Sequence, residues 1–544
     1  MADPLELETD RPKRNSRMIE KFDDEIKVAG VVDQQPVVSR SESVQSDTYG
    51  LSAGAKTFDK KLLYKLDMRL MIAMFFLNFL SLMGRTNIGA ALIRQLPQDL
   101  HLDAMKVFIV LTMPAAPLIL FEVPSNLLMR FLNRKFNFPY LWYMCVLDIL
   151  LGKSAYVTES RCAWGRVTLN VEASAVMTES CIITIGQGFV KTFDQMVATR
   201  FFVGVFDAGL IPGCVFLCSL YYPPRHLQWR LGLITVANIC SNIAGNFLAY
   251  AIANIQTTEN FKGWRWIFII EGIFTVVASL ACLPANIGPP EKAKFLTEEE
   301  KQLIKNSVEI RSTEIGVVAE WKMFFTNPLN YCWAALYCFT TTTAYSVSIF
   351  SPSFVKSFHP ELSAADVQAQ IVPIFVVAAV ACLTTAYAAD RLNHRAAFGL
   401  GGFIFTIIGY AILRQDEHES TNVTMMALYF IAFGTFITLP MIWILTMQNL
   451  QTPFQRAIGS GFVVGVGNTS GYISAWIFKT SDGPYYKNGM TISMILVVIA
   501  FAILSATWLY IQMHNRRLDR EERLHPSAGA GTKRLTGRSF RYKA

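Results

Sequence analysis

Charge is scarce in this chain. Only 17% of its 544 residues are Asp, Glu, Lys or Arg, against 52% hydrophobic, and the mean hydropathy is +0.33. Soluble domains carry about 25% charged residues, so the deficit excludes an ordinary soluble fold and implies an all-α polytopic membrane protein. Residues 1–68 have no apolar h-region, so no cleavable signal peptide is expected. The ten cysteines show no CxxC or Cys/His spacing, and several (Cys145, Cys214, Cys218, Cys240, Cys282, Cys382) fall in apolar runs. They read as small reduced core residues, not as zinc ligands or a disulfide set. Walker, nucleophile-elbow, HExxH and strand–GxGxxG patterns are all missing, so an enzyme has nothing to stand on and neither metal nor cofactor is expected. The net charge of +8 is no nucleic-acid signal, because the basic residues sit in the tails and central loop without interleaved aromatics.

What is present is a series of long apolar runs. The first, Leu70 to Ile93, follows Lys60, Lys61, Lys65 and Arg69 and contains Gly84-Arg85-Thr86-Asn87. At about 1.5 Å per residue it crosses a roughly 30 Å hydrocarbon core. Further spans are expected at Val107–Met129, Met196–Tyr221, Leu231–Ala253 and Trp264–Leu283. A charged, helix-prone stretch follows, in which Thr297 and Glu300 suit a capping box. The second half yields Leu329–Phe350, Ile371–Ala389, Ala396–Leu413, Met425–Met447, Ala457–Phe478 and Ile492–Met513.

The third span is interrupted. Phe138–Leu151 and Cys181–Val190 are each too short to cross, and residues 152–180 between them are polar and aperiodic. This is either a genuine insertion or an unspliced intron. Gly152-Lys153-Ser154, which a GGTAAGT-type splice donor encodes, favours the second. Counting the interrupted span once gives twelve helices as two bundles of six. The expected organisation is a disordered N-terminal tail (1–68), a first bundle (69–283), a central loop (284–325), a second bundle (326–513) and a disordered basic tail (514–544). Lys and Arg flanking the first span, filling the central loop and following the last span place both termini and that loop in the cytoplasm. Asn422-Val423-Thr424, a glycosylation sequon, then falls outside.

Ionisable and amide side chains at membrane depth are functional candidates by default. An Arg at the bilayer centre costs at least about 2.5 kcal/mol, so Arg85 either faces a polar cavity or partner, or snorkels to the far headgroups. Arg200 and Asp207 lie seven residues apart, close to two helical turns, and so share a face. They form either a proton-coupling unit or a static pair. Glu122 and Glu271 are further buried acids that titrate or cap a polar network. Asn238, Asn242 and Asn246 recur every fourth residue, lining a cavity or bonding helices together. The hydroxyl set Thr340–Thr343, with Tyr345, Ser346 and Ser348, and the span residues Trp443 and Asn468 complete the candidates.

Several motifs carry a family resemblance. Asp390-Arg391-Leu392-Asn393-His394-Arg395 resembles the short basic loop of the major facilitator superfamily, and Arg200 with Gly204 resembles its fourth-helix signature. Arg85-Thr86-Asn87-Ile88-Gly89, Phe121-Glu122-Val123-Pro124-Ser125-Asn126, Gly263-Trp264-Arg265-Trp266 through Glu271, Phe295-Leu296-Thr297-Glu298, Arg456-Ala457-Ile458-Gly459-Ser460 and Gly467-Asn468 are similar to the fungal allantoate permease group. That group belongs to the anion:cation symporter family, whose members carry carboxylates and vitamins such as allantoate, nicotinate, pantothenate and biotin. The resemblance implies alternating access between two bundles. It places Arg85 on the substrate carboxylate and Arg200 with Asp207 in proton coupling. The chain departs from the family pattern at Gly84, where Asp is usual, at Asp207, where Glu is usual, and at residues 152–180.

The expectation is therefore a monomeric proton-coupled symporter of a small organic anion in the plasma membrane, with the bilayer, protons and the anion as its partners. Arg85, Asn87, Asn242, Thr342, Tyr345 and Trp443 are expected to bind substrate. Asp207, Arg200, Glu122 and Glu271 are expected to couple protons, and Asn422 to carry a glycan. A metabolite exporter of the same fold and a non-transporting receptor-like carrier are the alternatives.

Overall fold

The computed structural model describes residues 60–93, 95–132, 182–208, 210–253, 263–282, 290, 293, 295–307, 317–358, 360–392, 394–415, 421–450, 452–479, 482 and 486–524. The expected N-terminal tail, the 152–180 segment with the first part of the third span, and residues 525–544 lie outside them. Among the described residues all regular structure is helical.

The first span is assembled from α1 (Lys60–Leu66), one π turn (Asp67–Met71), α2 (Ile72–Thr86) and α3 (Ile88–Ile93). It begins at Lys60, before the expected boundary at 69. The π turn is braced by Arg230, whose Nη2 meets the Asp67 carboxylate at 2.6 Å. After the short α4 (Leu96–Asp99), α5 (Ala104–Thr112) starts where the Asp103 side chain accepts from Lys106 N at 2.7 Å. The chain continues through α6 (Ala115–Leu132), α7 (Phe193–Asp207), α8 (Leu210–Tyr221), α9 (Pro224–Ala253) and α10 (Gly263–Cys282). The central loop holds α11 (Glu298–Ser307) and α12 (Val317–Thr326). The second half comprises α13 (Pro328–Phe358), α14 (Ala364–Leu392), α15 (Arg395–Leu413), α16 (Thr421–Asn449), α17 (Pro453–Asn468), α18 (Ser470–Ile477) and α19 (Lys487–Leu524).

Among the described residues, eight helical stretches are long and apolar enough to cross a membrane. Helices α10, α13 and the pair α17–α18 occupy the places expected for the sixth, seventh and eleventh spans. The C-terminal boundary differs from expectation: α19 runs through to Leu524, where a disordered tail was expected from residue 514. Residues 514–524 mix Arg with Asp and Glu at helical spacing, which keeps the helix intact beyond its apolar part.

The halves meet along their length. Helix α9 packs on α14, α6 on α17, and α3 on α13, and one continuous apolar core runs from Leu62 to Ile511. At the face where α1 begins, called here the tail face, Trp229 N donates to Asp390 Oδ2 at 3.0 Å and Arg456 Nη1 to Ser219 O at 3.3 Å. Both bonds cross between halves. The capping box forms as expected: Glu300 N donates to Thr297 Oγ1 at 3.3 Å and Thr297 N to Glu300 Oε2 at 2.9 Å. The partial burial of Glu300 pushes its carboxyl up, but the hydrogen bonds from Lys65 and Thr297 outweigh this and hold it below the usual carboxylate range. Lys65 lies 2.7 Å away, tying the central loop to the first span.

Candidate functional site

The site is organised by two helix ends. Arg85 occupies the last turn of α2, where the negative end of the helix dipole favours a cation. Asp207 is the last residue of α7, where the same dipole disfavours an anion unless a cation answers it. Arg85 supplies that cation, its Nε standing 2.8 Å from Asp207 Oδ2, and the side chains are 6% and 0% exposed. Snorkelling is thereby excluded. Arg85 Nη2 is also buried and has no hydrogen-bond partner. Among the described residues, Glu122 and Tyr345 also act electrostatically on this guanidinium.

Arg85 lines a central cavity of about 80 Å³ between the halves. The first half contributes Asn78 and Asn238 to its wall, and the second half contributes Tyr337, Tyr345, Trp443 and Asn468. The Tyr337 and Trp443 rings meet edge to face with centroids 5.2 Å apart, and the Tyr337 ring presses on the backbone of Gly467, where a larger residue has no room. Across the cavity's edge Asn468 Nδ2 donates to Glu122 Oε2 at 2.5 Å, joining α17 to α6.

The expected Arg200–Asp207 pair is not formed. Sharing a helix face does not bring the two groups together, because a long Arg can reach an adjacent helix. Arg200 turns to α10 and α2, placing its guanidinium 5.5 Å over the Phe268 ring and donating to Gly84 O at 3.3 Å. Its Nε and Nη2 are buried and unpartnered. Glu271 stands nearby and accepts a short hydrogen bond from Asn87 Nδ2, while its Oε1 has no hydrogen-bond partner. That Oε1 lies 4.0 Å from where a Cβ on Gly84 would be, so a side chain there would meet Glu271. Asn87 is accommodated by Gly245, where a Cβ would collide with its Oδ1.

Asn87 thus ties α2–α3 to α10 and does not line the central cavity. Asn242 bonds along its own helix, Nδ2 donating to Asn238 O at 3.0 Å, and with Asn87 borders a separate void of about 10 Å³. Thr342 is likewise turned away: its Oγ1 donates to Cys338 O at 2.9 Å, and Thr341 reaches the cavity instead. Helical threonines readily satisfy themselves on the preceding turn, so a hydroxyl run alone does not mark a lining. Tyr345 and Trp443 do line it. Asn78, Thr235 and Tyr337 line it without having been singled out from sequence; an isolated aromatic or amide in a span looks like any packing residue. Asn422 is exposed in the first turn of α16, but Thr424 of its sequon is buried at 2% exposure.

A family model described as Major Facilitator Superfamily matches residues 173–478. The MFS-type transporter cnsO of Penicillium expansum is 25% identical over 481 residues, covering 84% of this chain and 84% of that protein. The high-affinity nicotinic acid transporter of Saccharomyces cerevisiae is 24% identical over 487 residues, covering 88% and 82%. Among solved structures, the partially occluded inward open xylose transporter XylE of E. coli aligns with a TM-score of 0.56 at 14% identity, covering 81% of this chain and 98% of that one. This last likeness speaks to fold alone.

Proposed function

Because the chain belongs to the Major Facilitator Superfamily, a family of membrane transporters, we propose that it is a proton-coupled symporter of a small organic anion. The observation that carries this reading is the half-satisfied Arg85. One edge of its guanidinium is held by Asp207 and another nitrogen is buried without a partner beside the central cavity. A carboxylate entering the cavity can take that free nitrogen and then compete with Asp207 for the rest of the fork, since Arg binds carboxylates best through two parallel hydrogen bonds. Stripping Asp207 of its cation breaks a buried ion pair, at a cost of about 3–5 kcal/mol. Taking up a proton removes that cost. Anion and proton therefore enter together, and the site keeps its net charge through the cycle.

Alternating access follows from rocking of the two halves about the cavity. The contacts at the tail face and a cavity of about 640 Å³ at the opposite face fit a state closed toward the tails. With both termini in the cytoplasm, this is the state that loads from outside. The nicotinic acid transporter of yeast, at 24% identity, lends the carboxylate class some support. We place the protein in the plasma membrane as a monomer. Uptake of radiolabelled nicotinate and related carboxylates into whole cells, at acid and neutral external pH, tests the reading. Acid-stimulated accumulation is expected, whereas efflux or no transport of any carboxylate contradicts it.

A further inference from the structure

A second cavity, about 640 Å³, opens at the face opposite the tails, between α5 of the first half and the ends of α13 and α18 in the second. Small-molecule sites usually occupy about 300–1,000 Å³, a range that the central cavity falls below and this one falls within. Its wall carries Lys356 and Lys479, and no Asp or Glu lines it among the described residues. Asp103, at the start of α5, is occupied in accepting from Lys106 N at 2.7 Å. The Lys356 arm is held by Pro360 O and Leu362 O at 2.9 and 2.5 Å. Lys479 Nζ stands 4.7 Å over the Trp476 ring, and Phe350 and Tyr486 add further aromatic wall. Two cations set among aromatic rings, with no carboxylate in the wall itself among the described residues, suit an anion with a flat apolar body.

One helix links this cavity to the central one. Helix α13 presents Tyr345 and Ser348 to the central cavity and, further on, Ser353 and Lys356 to the larger. Pro352 lies between, where its missing N–H loosens the helix, and with Ser348 it borders the small void of about 10 Å³.

We infer that the larger cavity is a separate anion-binding vestibule, which receives small aromatic carboxylates before they reach Arg85. Its substrate class rests on the anion-transport reading, but its binding does not depend on the central site. Trp476 provides the readout. In full-length Arg85→Ala protein, held in nanodiscs of neutral phosphatidylcholine, nicotinate should quench the part of the fluorescence that Trp476→Phe removes. Adding Lys356→Gln and Lys479→Gln should weaken that quenching about tenfold, the effect of losing a charge-assisted hydrogen bond. Circular dichroism of each variant checks that it is folded. Quenching of unchanged affinity after loss of both lysines overturns the proposal, as does the absence of Trp476 quenching in the Arg85→Ala protein. Quenching that vanishes when phosphatidylglycerol is added at constant salt assigns the lysines to a lipid headgroup, and also overturns it. If wild-type cells fail to accumulate nicotinate while Trp476 quenching persists, the transport reading falls and the vestibule stands.

Discussion

The two halves of the central cavity are made of different chemistry. The first half brings Arg85 to the cavity wall and keeps four more ions buried within that half, Glu122, Arg200, Asp207 and Glu271, none of the five more than 7% exposed. From the second half come Tyr337, Tyr345, Trp443 and Asn468, rings and an amide with no formal charge. Among the described residues, Arg395 of the second half and Glu320 of the central loop are buried ions engaged at the tail face, with Gln448 and with Thr452 respectively. The difference teaches a division of labour. Under the proposed transport function, the first half holds charge and exchanges partners for it, and the second half provides the shape against which a substrate is sorted. Glu122–Asn468 is a point where the two are joined directly.

This contrast can be broken from either side. The largest effect is expected from Arg85→Ala, which should cut anion uptake at least about a hundredfold at unchanged surface expression, because it breaks the buried ion pair with Asp207 and removes the anion's contact. Arg85→Lys should restore little, since a point charge cannot offer two parallel bonds. Uptake assays with surface labelling check both. On the other side, Trp443→Leu should raise KM about tenfold with a smaller change in maximal rate, as expected for losing an aromatic wall but no charge. It should also change the ranking of competing carboxylates, which Arg85 variants should not. The smallest effect is expected outside the cavity. Glu300 has a lowered pKa in the folded protein, so its contribution is present above the ordinary carboxylate value and is lost as pH falls through the folded one. Glu300→Gln should therefore cost under about 1 kcal/mol at neutral pH, and nothing once the carboxyl is protonated. Thermal unfolding in detergent at the two pH values reads this directly.

Arg85 and Asp207 stand out in the sequence because an ion at membrane depth is expensive, and the structure brings the two together as a buried ion pair. Their pairing with each other was not legible there, since sequence spacing reports neighbours on one helix and this contact spans two. The wall from the second half was read only in part: Tyr345 and Trp443 were expected at the site and line the cavity, whereas Tyr337 was missed, because an aromatic ring in a span looks the same whether it lines or packs. Thr342 misled for a related reason, its hydroxyl being content with its own helix. The capping box at Thr297 and Glu300 was readable because both partners are local. The end of α19 was missed because the fall in apolarity was taken for the end of the helix.

The central claim is that Asp207 takes up a proton when the anion takes Arg85. Proteoliposomes containing Asp207→Asn protein test it most directly, with radiolabelled nicotinate followed under an inward proton gradient and, separately, in exchange against unlabelled nicotinate. The account predicts that gradient-driven accumulation is lost while exchange persists, because the amide mimics a permanently protonated acid. Undiminished uphill accumulation by Asp207→Asn would contradict it.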